Sequence, residues 1–204
     1  MAQAFIHGLI LAFGLIIPLG VQNVFVFNQG ATQPTLLRAL PAVITASLCD
    51  TILILLAVLG VSVVVLQVSW LAYILYGAGF LFLLYMGWVT WKSAAANPAT
   101  GEIVRLPAKK QIAFTASVSL LNPHAILDTI GVIGTSSLGY SGMAKWGFTA
   151  ACILVSYCWF LGLSIVGRRI GSIDRSGKWL ALINRISAVI IWGVALYMGG
   201  KWLF

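Results

Sequence analysis

Two aspartates stand in segments otherwise apolar enough to lie in lipid. They are Asp50 in "TASLCDTILILL" and Asp128 in "SVSLLNPHAILDTIGVIG". A carboxylate at membrane depth costs about 2.5–3.5 kcal/mol on insertion scales. Function is therefore the default reading of such a residue. No Lys or Arg falls at the same depth in the sequence. His124, four residues before Asp128, is the nearby titratable group and shares its face on an intact helix. An acid without a permanent partner suits a charge that comes and goes, a transient cation or a proton. The plainer reading is a protonated Asp that only hydrogen-bonds between helices.

Prolines accompany these acids. Pro123, beside Asn122, cannot donate to the carbonyl of Ser119. An opened turn offers backbone groups to a solute or to water. "IIPLGVQNVFVFNQG" repeats the device: Pro18 and Gly20 loosen the helix, and Gln22 and Asn23 follow. With Pro18 set on Pro123, Gln22 and Asn23 fall on Leu127 and Asp128. Broken helices at matching places in two inverted halves point to a transporter's central site. Ser117, Leu121, His124, Asp128, Gly131 and Thr135 follow a spacing that predicts one polar stripe along the helix. Ala39, Ala46 and Ala57 share a face with Asp50. Small residues admit a neighbouring helix, so Asp50 is predicted to face the bundle. Thr149, Cys152 and Ser156 form a further stripe, with Tyr157 beside it. Tyr76, Tyr85, Trp88, Trp192 and Tyr197 read as interface anchors or packing, and His7 as a wet surface residue.

The elements that must position these groups are transmembrane helices. The chain is 61% hydrophobic and 8% charged, against about 25% charged in soluble domains. Runs of roughly 20 apolar residues match a hydrocarbon core about 30 Å thick. Six such spans are predicted: Ala4–Phe27, Arg38–Gln67 with its end near Gly60, Ser69–Trp91, Gln111–Ser136, Trp146–Val166 and Lys178–Leu203. A barrel is disfavoured, because its strands need only about 10 alternating residues. The first run lacks a basic n-region and is read as a helix that stays.

The fold class is thus an all-α integral membrane protein, six transmembrane helices in two inverted three-helix repeats, with helices 1 and 4 broken. The segment "KSAAANPATGEIVRLPAKKQ" reads as a linker. One transporter domain, 1–204, is expected, with half-repeats of about 1–92 and 111–204 joined by a cytoplasmic linker 93–110. The net charge of +8 is a matter of topology and not of nucleic acid. Arg38, Lys92, Arg105, Lys109, Lys110, Arg168, Arg169, Arg175, Lys178 and Arg185 fall on one side, against Lys145 and Lys201 on the other. The positive-inside rule then puts both termini outside. Cys49, Cys152 and Cys158 form no CxxC pair and no zinc spacing. They read as small buried side chains, and no cofactor is expected.

Three of these segments also carry a resemblance. "PLGVQNVFVFNQG", "ASLCDTILIL" and "LNPHAILDT" occur in order and resemble signatures of the lysine/arginine exporter (LysE) family over nearly the whole chain. The resemblance implies a six-helix exporter of amino acids in the bacterial inner membrane, and not an enzyme. It implies Pro18, Gly20, Gln22, Asn23, Asp50, Asn122, Pro123 and Asp128 as the functional positions. Val21 stands where many relatives have proline. The "QN…NQG" and "NPH…LDT" forms resemble the basic-amino-acid branch more than the neutral one.

Exporting Arg⁺ or Lys⁺ from a cell that is negative inside costs about 2.3 kcal/mol per 100 mV. One incoming proton cancels the charge moved. Desolvation favours the neutral form of a carboxyl group, so Asp50 and Asp128, with His124 behind them, are the candidate proton carriers. The expected partners are a basic amino acid, protons and membrane lipid, with no nucleic acid; a homodimer remains open. Export of a divalent metal or of a neutral amino acid on the same scaffold is the alternative function. A channel and a membrane assembly factor are further classes.

Overall fold

The structure is a computed structural model, described here for residues 1–17, 20–60, 69–95, 105–120, 125–126, 129–173 and 178–203. All its regular elements among these residues are helical. They are α1 (Ala2–Ile16), α2 (Val21–Thr32), α3 (Leu36–Val58), α4 (Ser69–Ala95) and α5 (Ala108–Leu120). A π-helical segment (Thr129–Gly134) runs into a short α6 (Thr135–Ser137), followed by α7 (Gly142–Ile173) and α8 (Lys178–Leu203). Leu36–Val58 and Gly142–Ile173 are each long and apolar enough to cross a membrane, and α1 with α2 passes as one bent span. Helices α4 and α8 have 27 and 26 residues, or about 40 Å at 1.5 Å per residue.

The break predicted in the first span is present. Helix α1 ends at Ile16, and α2 begins after Gly20, at 83° to it. Pro18 itself lies outside the described residues. Span 2 ends near Gly60, whose φ of +92° is open to glycine. Helix α4 continues to Ala95 and α5 starts at Ala108, so helix enters both ends of the predicted linker.

Helix α3 shows how such a sequence sorts itself in lipid. Ile44, Leu48, Ile52 and Leu56 are exposed at four-residue spacing, while Ala39, Ala42, Ala46, Leu53 and Ala57 are buried. Both faces are apolar, and the inner one is the small one. Without a hydrophobic drive between helices in lipid, small residues and close contact do the packing.

Helix α7 is the spine. Helices α1 and α2 both pack along it, running in the same direction. The seam is held at Gly8, where a Cβ would come within 2.6 Å of the Phe148 carbonyl. Further along, a Cβ on Gly30 would overlap the Ser164 backbone, and one on Gly167 the Phe27 carbonyl. Helix α3 packs on α7 from another side and on α5 and the π segment. Helix α4 pairs with α8, antiparallel: the Trp192 indole donates to the Leu84 carbonyl at 3.2 Å, and Arg185 sits 5.9 Å from the Trp91 ring. One end of the bundle gathers 33–35, 105–107 and the end of α7. There Gln33 donates to the Leu106 carbonyl (2.8 Å), Gln111 to that of Arg38 (2.9 Å) and Arg168 to that of Pro34 (3.0 Å).

Candidate functional site

Asp50 lies where α2, α3 and α7 meet. Its Oδ1 accepts from Gln22 Nε2 at 3.3 Å, and its Oδ2 from Ser156 Oγ at 3.0 Å. Both donors are neutral, and the carboxylate is half-buried. Asp50 is the one acidic side chain among the described residues. Two hydrogen bonds leave acceptor capacity on both oxygens. Gln22 reaches Asp50 because α2 restarts at Val21, directly after the break. Ser156 reaches it from the stripe of Thr149, Cys152 and Ser156, all three buried.

The break has its own support. A helix end in lipid must satisfy its carbonyls internally. Asn23 Nδ2 donates across the gap to the Ile16 carbonyl at 2.9 Å. Its Oδ1 accepts from the Trp159 indole at 3.2 Å. Asn23 therefore ties both halves of the broken span to α7. Trp159 was not singled out from the sequence, although it lies three residues after Ser156 and so on a neighbouring helical position. Replacing Asn23 by Ala is expected to cost about 1–3 kcal/mol of stability, the loss from leaving buried groups unsatisfied. Thermal unfolding of the detergent-purified protein is the measurement. An unchanged midpoint would remove Asn23 from the scaffold.

Of the predicted site residues, Gly20, Gln22, Asn23 and Asp50 fall in described structure. Gln22 and Asp50 are in contact, Asn23 is next to Gln22, and Gly20 is the residue before α2. Asn122, Pro123, His124 and Asp128, like Pro18, lie outside the described residues. The predicted stripe of span 4 does not hold among its described members. Ser117 and Thr135 are exposed, and the buried polar face of α5 is Gln111, Thr115 and Ser119. The winding becomes π at Thr129–Gly134, which adds residues per turn and shifts every later side chain from its α-helical phase. His7 also differs from expectation. It is half-buried, with Nδ1 2.8 Å from the Tyr140 hydroxyl and its ring against Phe148.

Among the described residues the arrangement is one carboxylate with neutral donors beside a broken helix, between apolar helices. Comparison with known proteins decides its family. The family model described as LysE type translocator matches residues 13–201. The chain belongs to that family. YisU of Bacillus subtilis (strain 168), provisionally named an amino-acid transporter, is 59% identical over 197 residues, covering 97% of this chain and 89% of the relative. The arginine exporter protein ArgO of Escherichia coli (strain K12) is 31% identical over 204 residues, covering 97% and 94%. ArgO of Pectobacterium carotovorum subsp. carotovorum (strain PC1) is 30% identical over 201 residues, covering 97% of each. No solved structure matches this LysE-type translocator. It is a transporter and not an enzyme, and the apolar helices around Asp50 are the body of a membrane protein.

Proposed function

We propose that this LysE-type translocator exports basic amino acids, arginine foremost, across the bacterial plasma membrane in exchange for protons. The observation that carries the reading is Asp50, held at the helix break by two neutral donors. A carboxylate so placed can hold a proton in one half of the cycle and the substrate's positive charge in the other. Asp128 is its proposed counterpart from the second half, with His124 beside it. Pro18, Gly20, Asn122 and Pro123 would open backbone groups to the substrate's own carboxylate and ammonium. The arginine-exporter names of relatives matching 97% of this chain favour a cationic substrate.

The inverted-repeat architecture belongs to the same proposal. Exchanging spans 1 and 4, 2 and 5, and 3 and 6 turns the packing of α1 and α2 on α7 into that of α5 and the π segment on α3. The α3–α7 and α4–α8 pairs map onto themselves. Parallel spans 1 and 5, and antiparallel spans 3 and 6, also suit a chain that crosses alternately six times.

The end of the bundle bearing Arg38, Arg105 and Arg168 is then the cytoplasmic one by the positive-inside rule. A cysteine added after Phe204 should react with an impermeant maleimide from outside the cell, and one at Ala99 should not. The reverse pattern overturns this orientation. Uptake of labelled arginine into inverted vesicles under an imposed pH gradient tests the activity. Uptake of Mn²⁺ without arginine in the same vesicles would favour a metal exporter instead.

A further inference from the structure

Helices α4 and α8 form a close antiparallel pair, and indoles hold its seam. A Cβ on Gly87 would overlap the Trp192 indole, so that ring packs directly on the α4 backbone. Its Nε1 donates to the Leu84 carbonyl at 3.2 Å, which fixes the plane of the ring. Trp91 stacks on it with centroids 5.7 Å apart. The Trp91 ring in turn carries Arg185, 5.9 Å from its centroid. Three residues before Trp91, Trp88 carries Lys92, whose Nζ is 5.1 Å from the ring centroid.

Two cations, one from each helix, thus stand at one end of the pair. Both are exposed, as is Trp88. A ring face attracts a cation but takes none of its N–H groups. Lysine has three such donors and arginine five. Among the described residues no acid pairs with either cation, and Asp50, the one acid there, is held by Gln22 and Ser156. The depth of the two cations says what could pair with them. Helices of 27 and 26 residues outrun a hydrocarbon core of about 30 Å. Lys92 is three residues before the end of α4 at Ala95, and Arg185 is level with Trp91. Exposed tryptophan marks that depth as the headgroup region, where the acceptors are phosphate oxygens. Toward the middle of α4, Tyr85 and Leu81 continue the face of Lys92 and Trp88, exposed at 63% and 67%.

We propose that Lys92 and Arg185 together bind the phosphate group of an anionic phospholipid, with an acyl chain along Trp88, Tyr85 and Leu81. The indoles preset both cations, so little side-chain freedom is lost on binding. Basic sites between membrane helices suit such headgroups. A zwitterionic lipid brings the same phosphate together with a cation of its own, which these residues repel. The site therefore selects net negative charge. The lipid bridges α4 and α8 and so stabilises the pair. None of this depends on the proton-exchange reading above.

Native mass spectrometry of the delipidated, detergent-purified chain tests it. Phosphatidylglycerol and phosphatidylcholine of equal chain length are titrated in turn. The parent should hold one phosphatidylglycerol about 25-fold more tightly than phosphatidylcholine, about fivefold from each cation. Lys92→Gln and Arg185→Gln should each lose about fivefold of that preference, and the double variant nearly all of it. Arg38→Gln combined with Arg169→Gln removes as much charge from the same end of the bundle, on α3 and α7, which pack on each other. It should keep the parent's preference. Equal binding of the two lipids by the parent overturns the site. So does an equal loss in the Arg38 and Arg169 variant, because the attraction would then be that of the whole basic end. Glycerol 3-phosphate separates a lipid from a free phosphate. It should leave the bound phosphatidylglycerol in place at millimolar concentration, and displacement would overturn the lipid as occupant. Thermal unfolding gives a second reading. Phosphatidylglycerol should raise the parent's midpoint above its value in phosphatidylcholine, and should not do so for the double variant. If parent and double variant respond alike, the two cations hold no lipid.

Discussion

Asp50→Asn protein should sit folded in the membrane and fail to concentrate arginine against its gradient. The amide keeps the shape of the carboxylate. It can still accept from Gln22 or Ser156, so the junction of α2, α3 and α7 should hold. What it loses is the charge that the proposed exchange needs. Removing one partner of a desolvated charge pair costs about 2–5 kcal/mol, or roughly 30- to 5000-fold in affinity. Without a proton-binding carboxyl group, a pH gradient also has nothing to act on at this position. Transport into inverted vesicles under an imposed pH gradient gives the answer. Asp128→Asn should behave alike if the two acids share one site. Should the Asp50→Asn protein still accumulate arginine at the parent's rate, Asp50 serves helix packing alone.

The second large effect is on stability. Gly30→Ala and Gly167→Ala should each lower the thermal midpoint of the purified protein by about 5–10 °C. The added Cβ meets backbone in both cases, that of Ser164 and that of Phe27. Backbone cannot rotate away as a side chain can, so α2 and α7 must separate. Overpacking costs typically 1–3 kcal/mol, and each kcal/mol moves the midpoint by about 2–4 °C in a chain of this size. Gly162→Ala is the control. It lies on the same helix with no atom within 4 Å of the added Cβ, and alanine favours helix over glycine by roughly 0.5–1 kcal/mol. Its midpoint should hold or rise. If all three variants melt alike, the seam is not tight.

Much of this architecture was legible because lipid restricts the choices. Span 6 coincides with α8, Lys178–Leu203. Span 5 is longer than its apolar stretch, because α7 continues past Arg168 and Arg169 to Ile173. Charged residues stop a hydropathy window without stopping a helix. The inward face of Asp50 followed from its alanines, since periodicity survives in a regular helix. The stripe of span 4 failed for two reasons: no residue type announces the π turn at Thr129–Gly134, and within the regular α5 the inward polar face is that of Thr115 and Ser119, with Ser117 turned outward. Trp159 was missed for another reason. Its partner Asn23 is 136 residues away, and spacing along the chain carries no information about such a pair.

That separation bears on how the protein is made. Gln22, Asn23 and Asp50 emerge early, yet Ser156, which holds Asp50, and Trp159, which holds Asn23, both lie on α7. Translation at 5–20 residues per second leaves Asn23 waiting about 7–27 s for its indole. An unsatisfied polar group in hydrocarbon costs several kcal/mol throughout that interval. The first two spans are therefore poor candidates for early release into the bilayer. A ribosome stalled before residue 150 should leave them beside the insertion machinery, and one stalled after α7 has emerged should let them go.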